Sequence, residues 1–120
     1  MSLRSKSVQL PKEKKDGIRV CIMRRPDKEV EFDIWMPTLA PSHSLLDDYH
    51  AGKLSWEEFV QRYTREVIKK EKKYFKLLAN MARQETITIL CWEIEPQKCH
   101  RRLVAENCQK IDPTLRVTVR

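Results

Sequence analysis

The run TITILCW at residues 86–92 constrains this chain more than any other segment. It is short, β-branched and apolar at both alternate positions, so neither face of a strand built from it tolerates water. Strands buried on both faces belong to parallel sheets, where each crossover carries the chain back over the sheet and covers it. A first strand is expected earlier, over residues 18–23, with Gly17 before it, Cys21 inside it and Arg24, Arg25 and Pro26 at its exit. EVEFDIWM at 29–36 alternates acidic and apolar side chains and reads as a short extended piece. Pro37 and Pro41 make a loop of the TLAPS segment, residues 38–42. Ser42 can cap a short helix through Tyr49, which Ala51-Gly52 ends.

The helical segments declare themselves by spacing. Ser55 and Glu58 form a capping-box signature, after which Trp56, Phe59, Val60, Tyr63 and Val67 recur at three- and four-residue intervals. The pattern falters at KKEKK, residues 69–73, and resumes at Tyr74, Phe75, Leu78 and Met81, which predicts a bend or break near residue 70. Aromatic residues at this spacing read as core, and Trp35 and Trp56 as packing anchors. Glu95-Pro96 opens another helix, with Pro96 suited to a first helical position because it has no N–H to satisfy. Leu103, Val104, Cys108 and Ile111 give that helix an apolar face. Asp112-Pro113 stops it before a last strand over 115–119. The expected fold class is α/β: a small, mainly parallel sheet flanked by helices, in one domain over residues 17–120, with right-handed crossovers. Residues 1–16, rich in Ser, Lys and Gln, read as a flexible leader.

The chain of 120 residues has room for a single domain and holds no apolar run long enough to span a bilayer. No secretory signal is visible, so the expected location is cytoplasmic and its four cysteines are expected to be reduced. The net charge of +7 is polarised: residues 1–30 carry five excess positive charges, residues 31–60 five excess negative ones, and 61–90 five positive again. A basic chain attracts polyanions with a steep dependence on salt, which makes nucleic acid or a phosphorylated small molecule the expected partner. The cluster Lys69, Lys70, Lys72 and Lys73 reads as a solvated face, since no aromatic side chains alternate with it as a stacking platform requires. No membrane association and no cofactor are expected, and no apolar stripe surplus to the core specifies an oligomer.

The chemistry concentrates in residues 91–102, CWEIEPQKCHRR. Cys91 is expected at the carboxyl end of the central strand, with Cys99 and His100 in the first turns of the following helix. Open α/β sheets bind ligands at that place. A helix start favours an anion, or a thiolate over a thiol. Here the chain resembles a known family. The pattern C-x-E-x5-C-H-R (Cys91, Glu93, Cys99, His100, Arg101) followed by LVAE is similar to the signature of domain-of-unknown-function family 488. DIWMPTLAPS, WEEF and Arg62-Tyr63 upstream resemble the same family, and the likeness covers roughly residues 17–108. It implies an intracellular α/β protein without an established activity. A Trp-Pro-Arg-Gly segment that many relatives carry after the first strand is replaced here by RRPDKEVEFD.

Three chemistries fit these residues. The first is an anion pocket at the strand–helix junction, with Arg24, Arg25, Arg101 and Arg102 supplying charge and arginine's planar match to phosphate. The second is catalysis by a thiol nucleophile, Cys91 or Cys99, with His100 as acid/base and Glu93 orienting it. The third is a metal site of Cys91, Cys99, His100 and Cys21. Against the third stands the expectation that adjacent residues Cys99 and His100 point about a hundred degrees apart on a helix, so no metal ligand is assigned from the sequence. The first is preferred. Cys21 and Cys108 read as core fillers, and His43 and His50 as ordinary loop and helix-end residues.

Overall fold

In a computed structural model, which describes residues 2–94 and 98–119, the run TITILC is the middle strand of a parallel sheet. Among the described residues five strands take part: β1 (Ser2–Ser7), β2 (Ile18–Cys21), β3 (Ile34–Trp35), β4 (Thr86–Cys91) and β5 (Val117–Val119). Their order is β3-β2-β4-β1-β5, and every pairing is parallel. Four helices accompany them: α1 (His43–His50), α2 (Trp56–Tyr63), α3 (Lys72–Gln84) and α4 (His100–Ile111). The α/β class expected from the sequence is therefore the observed one.

The strand order explains which face each connection covers. From β1 to β2 to β3 the chain moves toward one edge of the sheet; from β3 to β4 to β5 it moves toward the other. With right-handed crossovers, the first two connections lie on one face and the last two, which contain α1 to α4, lie on the opposite face. The side chains agree. Leu3, Val20, Ile22, Ile87 and Ile89 share one core with Leu45, Phe59, Tyr63, Phe75, Leu78 and Val104 from the helices. The alternate residues Arg4, Lys6, Arg19 and Thr88 instead meet residues 11–16. The sheet is thus flanked by helices on one side and sealed by an irregular polar segment on the other.

That polar layer corrects the reading of residues 1–16 as a flexible leader. Ser2–Ser7 pairs with both β4 and β5, and Leu3, Ser5, Lys6 and Ser7 are buried. The charges of Arg4 and Lys6 hid a central strand because their partners lie beyond it. Lys6 Nζ donates to both Asp16 carboxylate oxygens at 3.0 and 3.1 Å, and to Pro11 O at 2.7 Å. Arg19 donates to Asp16 Oδ2 at 2.6 Å. Burial pushes the Asp16 carboxyl up, but the Glu13 N–H, Lys6 and Arg19 outweigh it and hold the group below the usual carboxylate range. Gly17 then turns the chain into β2 with φ +65°, where a Cβ would sit 2.2 Å from Thr86 O. Only glycine passes that close.

Other expectations are adjusted at their edges. The extended piece expected over 29–36 narrows to Ile34–Trp35, and the last strand to Val117–Val119. Trp35 is no packing anchor: 48% of it is exposed, and its Nε1 donates to Met23 O at 2.8 Å. Trp56 does pack, stacked on Phe59 with ring centroids 5.1 Å apart. The break near residue 70 is real. A π-helical turn over Thr64–Ile68 ends α2, and Glu71 leaves helical geometry (φ −110°, ψ 34°) before α3. Lys69, Lys70, Lys72 and Lys73 lie on the outer side of this break, and Lys69, Lys70, Lys72 and Lys73 meet solvent as a solvated face requires. The role assigned to Pro96 lies outside the described residues.

Both helix starts expected from capping residues are confirmed. Ser42 Oγ accepts from the Leu45 N–H at 3.1 Å. Ser55 and Glu58 exchange side-chain to backbone hydrogen bonds at 2.9 and 3.1 Å. Removing the second cap with Ser55→Ala is expected to cost about 1 kcal/mol. Urea unfolding should show a lower midpoint at unchanged slope, since the loss is local and exposes no new surface.

Candidate active site

Cys91 is the last residue of β4. The connection leaving β2 beside it goes to the polar face, whereas the connection leaving β4 goes to the helical face. A crevice opens where neighbouring strand ends part in this way. The chain then returns to start α4 at His100, with Cys99 as the residue before it. Cys99 has extended backbone angles, φ −132° and ψ 142°. It is not yet helical, so the expected divergence of Cys99 and His100 does not occur. Their side chains meet instead: the ligand-capable atoms of Cys91, Cys99 and His100 all lie within 4.8 Å of one another.

The contacts inside this cluster are specific. Cys91 Sγ lies 3.4 Å from His100 Nδ1 and 3.8 Å from Nε2. Cys91 and Cys99 both donate to Glu93 Oε2, at 3.4 and 3.3 Å. His100 Nε2 stands 3.0 Å from Ile22 O, the carbonyl just beyond β2. A carbonyl only accepts, so Nε2 carries the hydrogen and Nδ1 of the neutral ring is unprotonated; the nearly equal distances to the two nitrogens set Cys91 Sγ against the ring face rather than in line with the Nδ1 lone pair. Tyr63 packs 6.0 Å from the imidazole, centroid to centroid, and is itself fixed by donating to Leu39 O at 2.6 Å.

The electrostatics separate the two thiols' surroundings from that of Glu93. A hydrogen bond with the Cys91 thiol, together with burial, pushes Cys99 far up, so Cys99 holds its proton. Burial also pushes Glu93 up, but its own N–H and the thiols of Cys99 and Cys91 prevail and hold it below the usual range. Glu93 is therefore a carboxylate accepting from two thiols.

Arg101 is fully buried and donates to the carbonyls of Glu93 and Ile94, the latter at 3.1 Å. It pins the turn that aims the Glu93 carboxylate at the sulfurs and is a positioning residue. Arg102 points away, paired with Glu106 at 2.9 Å. Cys21 pairs in register with Leu90 and so faces the opposite side of the sheet from Cys91; it does not join the cluster. Cys108 lies in the helical core, where burial pushes its thiol up to about 12. All four cysteines are buried and free.

A cavity of about 270 Å³ opens beside Cys91, lined by Met23, Arg24, Arg25, Pro41, His43, Leu46, His50, Cys91, Trp92, Glu93 and His100. Arg24, held by donating to Pro41 O at 2.9 Å and Ala40 O at 3.3 Å, and its neighbour Arg25 place positive charge on the cavity wall. Sequence reasoning passed over His43, His50 and Trp92. The first two, with Leu46, occupy positions 43, 46 and 50 of α1, one helical face. That spacing was the available signal, overlooked because α1 is short and polar. Cys99 does not line the cavity. Cys91 does, and the two thiols are thereby unequal.

Among protein-family models, DUF488-N3a, described as the active DUF488-N3 subclade, matches residues 3–111. No curated protein and no solved structure matches the chain.

Proposed function

The chain belongs to the DUF488-N3a family, and from that premise we propose that it is an enzyme whose nucleophile is the Cys91 thiol. The description of the subclade as active supports a catalytic role. One observation carries the assignment: Ile22 O fixes the His100 tautomer, which leaves Nδ1 unprotonated 3.4 Å from Cys91 Sγ, near enough to take its proton once the imidazole turns toward the sulfur. As the sulfur forms a bond to an electrophilic centre, its proton passes to Nδ1. The resulting imidazolium is stabilised by the Glu93 carboxylate, and returns the proton to the leaving group. Water then releases the group held on sulfur.

The substrate in this reading is anionic, a phosphorylated small molecule or a nucleic acid. Arg24 and Arg25 on the cavity wall and the net charge of +7 support that class. Four reduced cysteines suit the cytoplasm, and among the described residues no helix is long and apolar enough to cross a membrane.

Alkylation tests both halves of the reading. Under limiting iodoacetamide, mass mapping should find the label on Cys91 first; labelling first at Cys99, or evenly over the four cysteines, overturns the nucleophile. Relative to a free thiol, Cys91 should favour the anionic reagent iodoacetate over neutral iodoacetamide, and salt should erase the preference. An unchanged ratio at low salt removes the anionic substrate.

A further inference from the structure

We infer that Cys91 and Cys99 form a redox pair: a hydroperoxide oxidises Cys91 to the sulfenic acid, and Cys99 then closes a reversible disulfide that switches the nucleophile off. The inference rests on the reading of Cys91 as the nucleophile and goes beyond it, because it gives Cys99 a task that a Cys–His pair does not need. The two sulfurs lie within 4.8 Å of each other and rest against one oxygen, Glu93 Oε2, at 3.4 and 3.3 Å. Cys99 precedes the first residue of α4 and has extended backbone angles, so turning its side chain toward Cys91 unwinds no helical turn. The other two cysteines stand apart. Cys21 faces the opposite side of the sheet, and Cys108 donates to Phe75 O at 3.8 Å within the helical core.

The surroundings divide the roles. Cys91 lines the cavity of about 270 Å³, and a water molecule occupies about 30 Å³ in the liquid, so a small hydroperoxide fits beside the sulfur. Cys99 does not line the cavity and holds its proton, so the oxidant meets Cys91 first. The Cys91 sulfur attacks one peroxide oxygen and the O–O bond breaks. The thiol proton passes by way of His100 Nδ1 to the departing oxygen, which for hydrogen peroxide leaves as water. The Cys99 sulfur then attacks Cys91 Sγ, the S–O bond breaks, and the hydroxyl also leaves as water. Its proton comes from Cys99 through Glu93 Oε2, which already accepts that S–H at 3.3 Å. The two sulfurs together lose two electrons, which the peroxide takes up. A dithiol reductant returns both thiols by exchange, so the bridge spares Cys91 the irreversible sulfinic acid.

The test treats the reduced full-length chain with an equimolar amount of hydrogen peroxide, blocks free thiols with N-ethylmaleimide and maps tryptic peptides without reduction. Trypsin cleaves after Lys98, which puts Cys91 and Cys99 in separate peptides that only a bridge joins. The expected result is that linked pair, with Cys21 and Cys108 blocked, and loss of iodoacetamide labelling at Cys91 until dithiothreitol restores it. Cys99→Ser should form no bridge. In that variant dimedone should trap Cys91 as the sulfenic acid, and excess peroxide should carry it to the sulfinic acid, beyond rescue by dithiothreitol. Should the variant misfold by circular dichroism, the wild-type map decides alone. A Cys91 that alkylates first yet ends as sulfinic acid without a bridge overturns the pair and leaves the nucleophile reading intact; bridges to Cys21, Cys108 or a second chain do the same. A Cys91–Cys99 bridge in a chain whose reduced Cys91 is not the first labelled upholds the pair and overturns the nucleophile reading.

Discussion

Replacing Asp16 with alanine is expected to destabilise the fold by about 3–5 kcal/mol, the range for removing one partner of a buried ion pair. Asp16 is fully buried and accepts from Lys6, Arg19 and the Glu13 N–H. Both cations are themselves buried on the polar face of the sheet. Without the carboxylate, Lys6 keeps Glu13 at 3.2 Å and Pro11 O, and Arg19 keeps the Glu31 carbonyl. The cost is mainly that of leaving buried Arg19 without a carboxylate and buried Lys6 with one, the half-exposed Glu13, in place of two, rather than of lost attraction. A double change, Lys6→Met with Asp16→Leu, should therefore recover part of the stability by removing charge of both signs. Urea unfolding of the three proteins measures this. A loss below about 1 kcal/mol for the single variant would mean that water reaches the cluster and that the polar layer does not seal the sheet.

The same carboxylate gives stability a pH dependence of fixed sign. The Asp16 carboxyl is held below its usual value in the folded chain, so the unfolded chain takes up its proton first as pH falls. Its contribution is fully present above the unfolded value of about 3.9 and is lost as pH drops through the lower folded value. Wild type should lose stability over that acid window, and Asp16→Ala should lose less.

The buried cluster also shows why part of the fold escaped the sequence. TITILC was legible because hydrocarbon on both faces of a strand has few alternative fates, and Ser42, Ser55 and Glu58 because capping is settled within four residues. SLRSKS is an equally central strand, yet its alternate side chains are Arg4 and Lys6. Their neutralisation depends on Asp16, a residue that no local pattern ties to them. The shortening of 29–36 to Ile34–Trp35 has a related cause: Glu29, Glu31 and Asp33 are exposed, and Glu31 and Asp33 are tied to β2 by hydrogen bonds with Arg19 rather than by a continued strand ladder.

The site divides in the same manner. Cys91, Glu93, Cys99, His100 and Arg101 lie within eleven residues, so their proximity was readable from a strand followed by a helix. Their directions were not. Only the extended backbone of Cys99 reveals that it and His100 converge. Only the residue just beyond β2 supplies the carbonyl that sets the imidazole tautomer, and that contact spans 78 residues of sequence.

That long-range contact gives the largest functional effect. Substituting His100 by alanine should slow Cys91 alkylation by about 10²–10⁴-fold, the range for loss of a positioned proton acceptor. Alanine alone is ambiguous, because it also strips the buried Ile22 carbonyl of its donor, at roughly 1–3 kcal/mol of stability. His100→Gln separates the two effects. Its amide N–H₂ can reach the position of Nε2 and donate to Ile22 O, but it offers no base to the thiol. Glutamine should therefore restore thermal stability toward wild type while leaving Cys91 as slow as in the alanine variant. Recovery of the rate together with the stability would show that His100 only shapes the crevice, and that the Cys91 proton leaves by another route, through Glu93.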